Sequence, residues 1–593
     1  MTEQLRADDS TTVAPRFFAL AMIGRPELTP FDDAAAQFYR SCGYSGVYFE
    51  NDYNRFGQPA TYGSWRNINE ALSLWRFSRD ERAQLYLEWL HQGVATAHRN
   101  DLRAYLKAWE PRVPMAVRDR LPAEIRSNLW DGIPNNVCLT APGGEELIRA
   151  YHTEALERLP AIDGLIIGVD DNWAELCGDA CPHCGRLTYP ERVMYYWALV
   201  HDVVAAVRPG LDIILYDWLW KERDARDAIV IGFLQKHPGS LRVITRFAQG
   251  MRQHIPGYEG PAEGVHDCTL VVDGPGPTSQ RYRPWIEKGR LRLLDAVPPG
   301  QSMEIWAHPY LPAPALLFRR LKALEEYGFE GFTDYDCSTP TPGIAAEALS
   351  QYTHGIAVEC VDVFLDTLAQ RTYGADCVRA VRNAWSLCEN AIRAYPLDMC
   401  SPRIFHMDSR FGPSMALTIG MVPELEKFAD RDYHGEPHFM YPYSVLVSDL
   451  IEAQARQLDT AARGMEEGAR RLGGVAASVK PERREFAQTE ADRALALALS
   501  LRSQHNWARM AQAVYDQKSG RKRIPTARLR DAFQQERDLT ARYAELYRND
   551  KALFSNPTWD EIGIVQLCQP QRQVDRDRPF DDKIAILDDR VTG

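Results

Sequence analysis

The stretch 166–186, IIGVDDNWAELCGDACPHCGR, crowds three kinds of chemistry into one loop. Asp170, Asp171 and Glu175 offer carboxylates, Trp173 offers a flat apolar face, and Cys177, Cys181 and Cys184 follow with C-x3-C-x2-C spacing. Two carboxyls can divide the work of breaking a glycosidic bond, one protonating the leaving oxygen while the other acts as nucleophile or activates water. Clustered cysteines are the thiolate ligands of structural zinc, which takes four. The fourth ligand is open between His183 and a remote Cys or His. The expected work of the metal is to hold the loop that carries residues 170–175. No cofactor is expected for catalysis itself: the chain has no H-x-H, and Pro437 between His434 and His438 argues against a helical zinc motif.

Acidic and aromatic residues recur at the ends of other apolar, strand-like runs. SGVYFEND (45–52) ends in Glu50 and Asp52, LRAYLKAWE (102–110) in Trp109 and Glu110, and DIILYDW (212–218) in Asp217 and Trp218. LRVITRF (241–247) contributes Arg246. SMEIWAH (302–308) reads as the seventh strand, and two-residue alternation sets its Glu304, Trp306 and His308 on one face. GFTDYD (331–336) does the same for Asp334 and Asp336. Carboxylates on six strand ends predict a shared acidic pocket, and Trp109, Trp173, Trp218, Trp220 and Trp306 would give it platforms for a sugar ring. The leading catalytic pair is Asp171 with Glu304, and Asp170 and Glu175 are alternates for the former. Glu50, Asp52, Trp109, Asp217, Trp218, Arg246, Trp306, His308, Asp334 and Asp336 are the expected substrate-binding residues.

These residues need a scaffold that gathers strand ends. RFFALAMIG (16–24) and GLIIGVDD (164–171) complete a set of eight strands, with amphipathic stretches such as VMYYWALVHDVVAAVR between most of them. Strands alternating with helices predict an α/β fold, a (β/α)8 barrel over residues 1–343, whose chemistry sits at the C-terminal strand ends. A doubly wound sheet is the rival, but no Gly-rich phosphate loop follows the first strand. CTLVVDGPGP (268–277) reads as an extra strand or a hairpin in the sixth connection. From 344 to 593 the strand signal fades, and long helical patterns predict an all-helical C-terminal domain.

The strand running into Asp170-Asp171-Asn172, the clustered cysteines, a helix and then RPGLDIILYDWLW resemble a group of carbohydrate-active barrels related to α-glucuronidases and β-N-acetylglucosaminidase-like hydrolases. The segment PGLDIILYDW is similar to their fifth strand, and residues 361–396 are similar to their C-terminal helical domain. The resemblance covers about two thirds of the chain and implies a TIM-barrel glycosidase. The acidic turn here reads Asp170-Asp171-Asn172 where relatives have an Asn-Asp type of turn, and the adjacent Asp-Glu pair of hexosaminidases is not reproduced.

Composition narrows the classes. At 593 residues the chain exceeds one hydrophobic core, and 45% hydrophobic with 25% charged residues is ordinary for a folded protein. A net charge of −12 opposes nucleic acid, and the one basic cluster, SGRKRIPTARLR (519–530), reads as a solvated helix face. No apolar window is long enough to cross a membrane. Twelve dilute cysteines and an acidic N-terminus lead to the expectation of a cytoplasmic protein with reduced thiols, one that acts on a small carbohydrate and can assemble as a homo-oligomer. A sugar-binding barrel without chemistry, or a divalent-metal-dependent sugar hydrolase or isomerase, are the alternatives.

Overall fold

The computed structural model describes residues 16–23, 31–50, 81–108, 122–126, 137–169, 176–177, 179–217, 226–237, 239–249, 251, 254, 256–257, 274–296, 311–334, 341–396, 448–518, 526–550, 584 and 588. Eight parallel strands close into a barrel in sequence order: β1 Phe18–Ile23, β2 Gly46–Glu50, β3 Arg103–Ala108, β4 Gly164–Gly168, β5 Asp212–Tyr216, β6 Leu241–Thr245, β7 Leu291–Ala296 and β8 Gly331–Thr333. Between them run α1 Asp33–Ser41, α2 Glu81–Arg99, α3 Gly144–Arg158, α4 Tyr189–Val207, α5 Arg226–Lys236, α6 Pro277–Glu287 and α7 Pro314–Tyr327; α8 Ile344–Thr353 follows the last strand. The fold class is therefore the expected (β/α)8 barrel.

One correction concerns the seventh strand. It forms at Leu291–Ala296, not at 302–308, and pairs with β6 and β8. Residues 302–308 fall in the connection from β7 to α7, outside the described residues, as do 268–273 of the proposed extra strand.

Alternation along each strand divides its side chains between two environments. Leu20, Met22, Tyr48, Tyr105, Ile166, Ile214, Tyr216, Ile244, Leu294 and Ala296 pack on one another inside the barrel. Their neighbours, such as Ala21, Val47, Leu165, Val243 and Leu293, join the helices in the outer core. Closure at β1–β8 depends on a residue without a side chain. Gly331 pairs with Phe18, and a Cβ at Gly331 would lie 1.7 Å from the Phe18 carbonyl oxygen. At the N-terminal mouth Arg242 covers the Phe18 ring at 4.2 Å, donates twice to Glu330 at 2.7 Å, and is paired with Asp212. Polarity at this end is structural, as barrel architecture leads one to expect.

The rest of the described chain is helical: α9 Val361–Tyr373, α10 Val378–Arg393, α11 Ser448–Ser478, α12 Pro481–Lys518 and α13 Thr526–Asn549. Leu472, Val475 and Ala476 of α11 and Phe486, Ala487, Ala491 and Ala494 of α12 belong to the same apolar cluster as the outer layer of the barrel. Tyr373 meets Trp385 and Phe486 edge-on, which ties α9 to α10 and α12. No helix among the described residues is long and apolar enough to cross a membrane.

Candidate functional site

At the C-terminal end of the barrel, the described interior is basic and aromatic. Lys107, on β3, is buried with its Nζ 5.7 Å from the centre of the Tyr48 ring and 5.4 Å from that of Tyr216. Arg246 approaches the Tyr216 ring at 5.5 Å, and its Nη2 donates to Tyr216 Oη at 3.3 Å. Tyr216 therefore interacts with two cations at the end of β5, an arrangement that the electron-rich ring face stabilises. Glu50 ends β2 in register with Lys107. Neither Lys107, Tyr48 nor Tyr216 stood out in the sequence. The available signal was a lysine inside the apolar run LRAYLKA, at the same strand parity as the buried Tyr105.

Two expected substrate-binding carboxylates occupy a different environment. Asp217 follows Tyr216 by one residue and is fully buried, accepting from Tyr282 Oη of α6 at 3.2 Å with Arg246 Nη1 3.8 Å away. Burial pushes its carboxyl above the ordinary range, while Arg226 and Arg246 pull it back. Asp334 lies just past β8 and accepts from Tyr44 Oη at 2.6 Å and from the Met22 amide at 3.3 Å. Burial holds its carboxyl well above the usual value. Asp295, one residue from the end of β7, repeats the pattern: it accepts from the Phe247 amide at 2.8 Å and faces Arg320 of α7 at 3.5 Å. All three sit one step out of phase with the interior side chains, so they brace strand ends against the helix layer. Of the expected binding residues whose side chains are described, Arg246 is the one whose side chain contacts an interior side chain, that of Tyr216. Asp52, Trp109, Asp170, Asp171, Glu175, Trp218, Glu304, Trp306, His308 and Asp336 lie outside the described residues, and for Glu50 only the backbone is described.

The three clustered cysteines are brought to a fourth. Cys138, in the connection from β3 to α3, joins Cys177, Cys181 and Cys184, and the four buried Sγ atoms lie within 4.8 Å of one another. The remote-cysteine alternative for the fourth partner is the one the structure brings into place; His183 is not among the four. Hydrogen bonding from the Cys138 and Cys177 thiols lowers the Cys184 thiol well below its ordinary value. Immediately after the cluster, Thr188 caps α4 in a reciprocal box with Glu191, which fixes where the helix starts.

No family model matches the chain, and no curated protein matches it. Among solved structures it is similar to a GH138 enzyme targeting pectin rhamnogalacturonan II, at 12% identity over 98% of this chain and 83% of that one, with a TM-score of 0.52. A chitobiase from Flavobacterium johnsoniae is 14% identical over 88% of this chain and 75% of its own, with a TM-score of 0.36. An O-GlcNAc hydrolase from Thermobaculum terrenum is 11% identical over 97% and 94%, also at 0.36. The last two scores are too low to carry an argument. The chain folds as an eight-stranded parallel barrel with appended helices, and that fold is similar to the GH138 enzyme's.

Proposed function

We propose that the chain is a glycoside hydrolase acting on a small oligosaccharide or glycoside. The observation that carries this reading is the closed barrel, similar over nearly its whole length to a glycoside hydrolase. Carboxyl-rich segments fall in its strand-to-helix connections, the side of such a barrel on which chemistry is done. Asp171 lies in the connection from β4 to α4. With β7 ending at Ala296, Glu304 lies in the connection from β7 to α7. It keeps its candidacy by that route and not by strand alternation. One of the pair would protonate the glycosidic oxygen and the other would attack the anomeric carbon or activate water. Asp170 and Glu175 remain alternates in the first segment. Below them Lys107 and Arg246 would bind sugar hydroxyls or an acidic substituent, and Trp109, Trp218 and Trp306 would stack on the ring. A reducing compartment such as the cytoplasm fits the thiols, since all cysteines among the described residues are free.

The test is turnover of a panel of aryl glycosides and acidic oligosaccharides, with and without EDTA. The expected result is hydrolysis that resists EDTA and falls by about 100-fold or more in Asp171→Asn and in Glu304→Gln, with circular dichroism unchanged. Sugar binding by calorimetry with no turnover on any substrate would instead establish a non-hydrolytic barrel. Activity lost to EDTA and restored by a divalent ion would establish the metal-dependent alternative.

A further inference from the structure

We propose that Cys138, Cys177, Cys181 and Cys184 form a tetrathiolate zinc site that staples the connection after β3 to the connection after β4. Four buried thiols could instead be packed as small apolar groups, so the argument rests on how they are arranged. Zinc bound to four sulfurs at about 2.3 Å sets them about 3.8 Å apart. The observed Sγ separations of Cys138 from Cys184 and Cys181 are 3.2 and 3.6 Å, and no pair in the tetrad exceeds 4.8 Å. Both resolved distances are far too long for a disulfide, whose sulfurs are about 2.05 Å apart.

Donors are aimed at the sulfurs, as thiolates require and thiols do not. The Cys184 amide points at Cys181 Sγ at 3.4 Å, and Thr140 Oγ1 donates to Cys184 Sγ at 3.3 Å. The turn that sets these directions closes when the Gly185 amide donates to the Cys181 carbonyl at 2.8 Å. A Cβ at Gly185 would lie 2.2 Å from the Asp179 carbonyl oxygen and 2.6 Å from that of Cys181, so no side chain fits there. Beneath the turn, the buried guanidinium of Arg192 donates to the carbonyls of Cys184 at 3.3 Å and Leu187 at 2.9 Å, and to Asp179 at 2.7 Å. The guanidinium is paired with the Asp179 carboxylate, so its part is to hold the carbonyls of the turn, and zinc binding would release four protons to solvent and leave a charge of −2 on the four thiolates.

Four ligands close the coordination sphere, leaving no position for substrate or water, so the metal would act on structure and not on chemistry. Cys138 is anchored in turn, because its amide donates to the Ile125 carbonyl at 2.8 Å. The site would therefore fix the chain six residues beyond Asp171.

Elemental analysis of the full chain, purified without added metal, should give about one zinc per chain. Titration with p-hydroxymercuribenzoate should release that zinc in step with the reaction of four thiols. Cobalt exchanged into the site should show the intense thiolate-to-metal absorption of a tetrahedral sulfur complex. Cys138→Ser should lose zinc at least tenfold more readily to a chelator, and the wild-type titration stands if that variant fails to fold. Iron in place of zinc, or less than about 0.1 zinc with four thiols alkylated freely in the folded protein, would overturn the proposal. None of these readouts uses glycosidase activity, so the two proposals can fail separately.

Discussion

Tyr44 Oη donates to Asp334 Oδ1 at 2.6 Å across the seam where β8 meets β1, and Tyr48 Oη donates to the Asp334 carbonyl at 2.7 Å. Two tyrosines from the segment around β2 thus reach past β1 to hold the end of β8. Three strands are clamped by one residue. The carboxyl is buried, so each donor it loses leaves an acceptor that water cannot reach.

We predict that Tyr44→Phe and Asp334→Asn each lower unfolding free energy by about 1–3 kcal/mol, as expected for a buried group stripped of its partner. In a double-mutant cycle the pair should couple by at least about 0.5 kcal/mol in urea denaturation. Additive effects would mean that the contact does not stabilise closure of the barrel.

His152 gives the fold an acid-sensitive point. It lies fully buried on α3 with Nε2 3.2 Å from Tyr196 Oη of α4, and burial pushes its pKa down to about 3. Below the unfolded value, near about 6.5, the unfolded chain takes up a proton that the folded chain refuses. Stability supplied by this group is therefore complete above that pH and falls as pH drops toward about 3, at up to about 1.4 kcal/mol per pH unit. The loss of stability between pH 6 and 4 should be shallower in His152→Phe than in wild type. Parallel pH profiles would remove His152 from the account.

Lys107 separates function from packing. A buried cation between two tyrosine rings contributes little net stability once its desolvation is counted, whereas an apolar side chain of similar length fills the same space. Lys107→Met should keep or raise the thermal midpoint while lowering kcat/KM at least tenfold. A fall in both would assign the lysine to the fold.

Most of the architecture was legible in the sequence because interior strands announce themselves as apolar runs between helical patterns. The seventh strand escaped because LRLLDA carries Arg292 and Asp295, which interrupt the run. Arg292 is 3.7 Å from Glu330, and Asp295 is satisfied by the Phe247 amide and Arg320, all distant in sequence. SMEIWAH alternates more cleanly and drew the assignment away. The three neighbouring cysteines were visible as a motif, but Cys138 was not, since a fourth cysteine 39 residues upstream is brought to them only by the fold. Of the polar residues read at strand ends, Asp217, Arg246 and Asp334 do follow directly on β5, β6 and β8. Asp217 and Asp334 each lie one position past an interior residue, and that single step turns a carboxylate from the barrel interior to the helix layer.

The apolar cluster that runs from the barrel into α11 and α12 makes these two helices a load-sharing wall for the barrel's outer layer. The barrel's own eighth helix, α8, begins at Ile344 and is bonded back to the segment before β2 through Ser350 Oγ to Ser41 and Thr353 Oγ1 to Cys42. A shortened chain ending at residue 343 would therefore lose part of its first ring as well as its second. Apolar groups that α8 covers, among them Phe17 and Phe318 packed on Tyr352, would be left wet and adhesive.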